Sequence, residues 1–219
     1  MDLVEIGGKL ALFYVPFLFA LCFHEYAHGQ VAKWCGDNTA EQMGRLTLNP
    51  MVHADLIGTF ILPISAIVFG IPIFFGWAKP VPVNSRNLKN VRTDMFWIAL
   101  AGPLSNILLA VVATLFMFLA YRYGFLGGYA HPVHTLLEMF VLTNLFLALF
   151  NLIPLHPLDG GKVLARFLPA SINYKLEQNQ QLTSFILLGL VMTGMLSVLR
   201  IPVFFVFNYL MSFSGGGVL

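Results

Sequence analysis

LALFYVPFLFALCFHEYAHGQV, residues 10–31, places an HExxH pattern at His24–His28, directly after a run without charge from Leu10 to Phe23. In a helix, residues four apart share a face, so His24 and His28 can both reach one metal ion. Glu25 stands on the neighbouring part of that face, where it can take a proton from a water on the metal. Two imidazoles and a carboxylate are expensive in hydrocarbon, which makes them a functional site by default. The bland alternative is a polar cluster that hydrogen-bonds neighbouring helices.

The composition agrees with membrane placement. Of 219 residues, 58% are hydrophobic and only 10% charged, and the mean hydropathy is +0.80. Soluble domains carry about 25% charged residues, so this is an integral membrane protein. A net charge of +2 gives no reason to expect nucleic acid. Cys22 and Cys35 do not make a disulfide framework, and Cys22 points away from the histidine face, so it reads as packing. Asp2 and Glu5 precede Lys9, unlike the basic start of a signal peptide. No repeat or large polar block breaks the chain, so residues 1–219 are expected to form one membrane domain.

Apolar runs at about 10–33, 56–78, 95–121, 135–158 and 182–199 predict an all-α polytopic bundle. Runs one, three, four and five are expected to cross, and the short stretch 201–213 to lie at the interface. Run two is interrupted by Gly58, Pro63, Gly70, Pro72 and Gly76, which suits a re-entrant hairpin. Re-entry also puts the HExxH end of run one and the far end of run four on the same side. Nine of the twelve Lys and Arg residues then share that side, which the positive-inside rule makes cytoplasmic.

A catalytic zinc takes three protein ligands and keeps one position open. The third is sought in NLIPLHPLDGG, residues 151–161, where two prolines stop run four and two glycines follow an aspartate. Asp159 is the expected ligand and His156 its competitor. His53, His131 and His134 fall in expected loops and read as solvated. Asn106 and Asn151 are candidate contacts to a substrate backbone, and Asn144 reads as an interhelical hydrogen bond.

HEYAH at 24–28, AGPLSN at 101–106 and NLIPLHPLDGG at 151–161 together resemble the site-2 protease family of intramembrane zinc metalloproteases (peptidase family M50). The match brackets about 140 residues, in an order and spacing specific to that family. The resemblance implies one Zn2+ held by His24, His28 and Asp159, with Glu25 as general base. It implies cleavage of membrane-spanning proteins near the cytoplasmic side of the cell membrane. The expected form is the minimal one, without PDZ or CBS domains. A substrate helix must be opened before it is cut, and strand addition is one way to hold it. The loop Thr39–His53 is either an edge hairpin serving that purpose or an ordinary connection. A metal transporter and an inactive adaptor are the competing classes. Ionisable residues gathered at one depth speak against the first, and an intact Glu25 against the second.

Overall fold

The computed structural model describes residues 2–70 and 76–214. Among the described residues, four helices are long and apolar enough to cross a membrane: α1 (Leu3–Trp34), α5 (Val91–Tyr123), α6 (Gly127–Asn151) and α10 (Met195–Phe213). Between them lie the shorter α2 (Thr39–Gln42), α3 (Pro50–His53), α4 (Leu56–Phe69), α7 (Asp159–Ala165), α8 (Ala170–Gln178) and α9 (Gln180–Met192). Among the described residues no strand forms, so the Thr39–His53 loop is not a hairpin. It winds instead into the single turns α2 and α3, each seated on α1.

The re-entrant reading of run two has a direct counterpart. Ala54 and Ala78 form an antiparallel bridge, Lys79 N–H donates to His53 O at 2.8 Å, and Trp77 N–H donates to Gly58 O at 3.1 Å. The segment therefore returns to where it left. Its helix α4 spans 14 residues, about 21 Å at 1.5 Å per residue, which is short of the hydrocarbon thickness. Gly70 ends it in the left-handed conformation at φ 65°, which favours glycine. Pro72 lies outside the described residues.

The final helices depart from the sequence expectation. Run five stops at Met192, where Gly194 turns the chain at φ 71°, and the last crossing helix is Met195–Phe213. Pro202 does not break it, because Met195–Leu199 form a 3-10 turn and Pro202 is the third residue of the α-helical part Arg200–Phe213, a first turn whose N–H groups have no α-helical partners to lose.

Helix α5 is the centre of the bundle and packs on both α1 and α6. Ala110, Ala113 and Met117 of α5 meet Val141 and Leu145 of α6 and Val203 and Met211 of α10 in the main core. The small residues let helices approach where no hydrophobic driving force separates helix from lipid. Val111, Val112, Leu115 and Phe116 on the opposite side of α5 stay exposed, as a lipid-facing surface requires. Because α5 runs back along α1 and α6 runs back along α5, α1 and α6 end on the same side of the bundle.

Candidate metal centre

His24 and His28 lie one helical turn apart on α1 and both are buried, their rings 4.6 Å apart and nearly perpendicular. Each is tied from behind through Nδ1. His24 Nδ1 is 2.7 Å from Asn106 Oδ1, and His28 Nδ1 is 2.6 Å from the carbonyl oxygen of Ile98. Asn106 donates through Nδ2 to Ala20 O at 3.1 Å and to Asn144 Oδ1 at 2.9 Å, so its oxygen must be the atom facing His24. Both acceptors behind the imidazoles can only accept. The proton therefore resides on Nδ1 in each ring, and each Nε2 presents a lone pair forward.

Those two lone pairs face Asp159. Its Oδ2 lies 3.1 Å from His24 Nε2 and 3.2 Å from His28 Nε2. The three ligand atoms lie within 4.8 Å of one another. Three buried electron-pair donors this close can hold a cation among them, and two imidazoles with a carboxylate suit zinc. The space in front of them is kept by an absence: a Cβ on Gly102 of α5 would come within 2.5 Å of His28 Nε2 and 2.6 Å of His24 Nε2. The residues present fit the metal.

Asp159 reaches this place because the chain turns sharply after α6. A Cβ on Gly160 would run into the carbonyl oxygens of Leu152 and Ile153, and one on Gly161 would fall 2.8 Å from His156 N, so only glycines let α7 start against that turn. Asp159 is buried, and its ionised carboxylate completes the donor set that the two Nε2 lone pairs begin. Lys162 Nζ stands 3.9 Å from its other oxygen.

Glu25 is also buried, and its Oε2 accepts the backbone N–H of Val81 at 2.8 Å. His156 is not part of the three-residue group. It is buried with Nε2 unpartnered, and burial holds its imidazole below the ordinary histidine range. His53 is buried too, with Nε2 2.8 Å from Thr47 O, and so is not the solvated loop residue expected. His131 and His134 belong to the first turns of α6 rather than to a loop.

Sequence reasoning did not single out Gly102, the Ile98 carbonyl or Val81. Gly102 lay within the quoted AGPLSN stretch and carried a signal. The other two act through the backbone and carried none.

A membrane-embedded HExxH helix facing a distant aspartate defines an integral membrane zinc metalloprotease of the site-2 type. Residues 127–195 match the family described as Peptidase family M50. The chain is 34% identical over 190 residues to "Putative zinc metalloprotease YwhC" of Bacillus subtilis (strain 168), covering 86% of this chain and 83% of that protein. It is 28% identical over 157 residues to "Putative zinc metalloprotease Rip2" of Mycolicibacterium smegmatis, covering 70% of this chain and 56% of that one. The Rip2 of Mycobacterium tuberculosis (strain H37Rv) is 29% identical over 165 residues, with 72% and 58% covered. The chain belongs to peptidase family M50. No solved structure matches it.

Proposed function

We propose that the chain hydrolyses peptide bonds of membrane-spanning proteins near the cytoplasmic face of the cell membrane. One zinc per chain would be held by His24, His28 and Asp159, and Glu25 would act as general base. The observation that carries this reading is the convergence of two Nε2 lone pairs and one carboxylate oxygen, at 3.1 and 3.2 Å, one residue away from a buried glutamate. Zinc, when bound, supplies Lewis-acid polarisation of a carbonyl and lowers the pKa of water to about 7.

The protein's own groups do the rest. Asn106 and the Ile98 carbonyl hold the imidazoles in one tautomer and one orientation. Glu25 accepts the proton of the attacking water and passes it to the leaving amine. Asn106, expected at first to meet substrate, has both ends of its amide committed within the protein, so its role is to position His24. Asn151 remains the candidate contact to a substrate backbone. It is half-buried at the end of α6 and donates to Leu147 O, and its Oδ1 makes no hydrogen bond among the described residues. The cytoplasmic assignment rests on the nine Lys and Arg residues that flank this end of the bundle.

Glu25→Gln tests the reading. Reconstituted in vesicles with a model transmembrane substrate, this variant should keep its zinc and lose cleavage. Normal turnover would refute a base role for Glu25 and favour transport.

A further inference from the structure

We propose that the backbone N–H of Val81 positions the Glu25 carboxylate, so that the extended strap Ala78–Val83 is a working part of the active centre. This rests on Glu25 being the general base. The strap crosses α1 at the HExxH turn, and Val81 itself is buried while Pro80 before it is exposed. A Cβ on Gly29, the residue after His28, would meet Val81 Cγ1 at 3.2 Å, so the strap lies directly on the helix that bears the site.

The direction of the effect follows from what anchors the strap. Upstream, Lys79 N–H donates to His53 O at 2.8 Å, and the buried Arg45 donates through Nη2 to Lys79 O at 2.7 Å and Pro80 O at 3.3 Å. Downstream, Asn84 N–H donates to Asp37 Oδ2 at 2.7 Å, and Asn87 Nδ2 donates to Asp37 Oδ1 at 2.8 Å. The strap is therefore fixed at both ends without Glu25. A long, rotatable glutamate side chain gains a fixed partner from it, rather than the reverse.

The local sequence leaves one donor for this purpose. Pro80 and Pro82 have no N–H and favour an extended backbone, so Val81 supplies the single N–H between Lys79 and Val83. It holds Oε2. Among the described residues Oε1 makes no hydrogen bond, and it is the oxygen left to receive a proton. An ionised carboxylate in a buried site is costly unless it is hydrogen-bonded, and one held oxygen meets that need while the other stays available.

Val81→Pro tests this, because it removes the N–H from a strap that already holds proline at 80 and 82, and Val81→Ala controls for the side chain that changes with it. In the zinc-loaded protein its zinc content and KM should hold, and kcat should fall about ten- to a hundredfold, as loss of a hydrogen bond to a charged group predicts. Val81→Ala keeps the N–H and should retain at least about tenfold more kcat than the proline variant. Equal losses in the two would assign the effect to packing and overturn the proposal, as would an unchanged kcat in Val81→Pro.

A second measurement needs no activity. Amide exchange at Val81, read by NMR on valine-labelled protein, should quicken about ten- to a hundredfold in Glu25→Ala. Val83 should serve as the unchanged reference. Unaltered Val81 exchange would overturn the proposal even if the proline variant did not fold. Full cleavage by Glu25→Gln would instead sink the base assignment, and the exchange result would still report on the Val81 contact.

Discussion

Gly102→Ala is the sharpest perturbation of the metal centre, because it adds one methyl group where the structure leaves no room. The new carbon would stand 2.5 Å from His28 Nε2 and 2.6 Å from both Nε2 and Cε1 of His24. Contacts this short require movement, and neither imidazole moves freely, since each is bonded behind at 2.7 or 2.6 Å. Within a helix interior, alanine gains about 0.5–1 kcal/mol over glycine. Overpacking costs about 1–3 kcal/mol, so the fold should lose no more than about 2.5 kcal/mol. The metal should suffer far more. Losing one supporting hydrogen bond lowers metal affinity about 10–100-fold, and displacing two ligands at once should reach or exceed the upper end. Zinc per chain in detergent-purified protein, chelator competition and thermal unfolding separate the two effects. A variant that melts near the parent and binds zinc with the parent's affinity would refute the assignment of this space to the metal.

Asp159→Asn should lose zinc sharply and His156→Ala should keep it, as metal analysis will decide; the reverse pattern would exchange their roles. Asn106→Ala should weaken zinc about 10–100-fold in a chelator titration, because His24 loses the group that fixes its tautomer. Asp37 ties Asn84 and Asn87 of the strap region to Thr39, and hydrogen bonds from these residues outweigh the cost of burial and lower its carboxyl below the ordinary 3.8. A folded value below the unfolded one means that this stabilisation is present above pH 3.8 and is lost as pH falls through the folded value. Thermal melts should therefore show an acid-side loss that Asp37→Asn reduces. Single cysteines at Asn38 and Asn84, with Cys22 and Cys35 replaced, should label from one side of the membrane; labelling from opposite sides would exclude re-entry.

The crossing helices were legible wherever charge was absent for long enough, as in the 27 residues from Met95 to Tyr121. The last crossing was misplaced because 201–213 is too short to cross by itself and Arg200 separates it from Met195–Leu199, the turn that lengthens the helix. His24, His28 and Glu25 were legible because helical spacing alone puts them together. Asp159 was legible through the prolines that stop run four and the glycines that follow it, although the structure buries the carboxylate. Ile98 and Val81 were not, because any residue other than proline offers the same carbonyl and N–H, and only tertiary placement gives them a role. His53 was read as solvated because a loop position says nothing about what packs over it.

The separation of 135 residues between His24 and Asp159 has a consequence for how the enzyme is made. Ribosomes add about 5–20 residues per second, so the first ligands precede the last by roughly 7–27 s. Throughout that interval the nascent helix α1 sits in a crowded membrane with two imidazoles and a glutamate but an incomplete set of ligands. If Asp159 completes the zinc site as proposed, the protease stays inert while it is being inserted and gains its cutting power only once the bundle around α5 has closed.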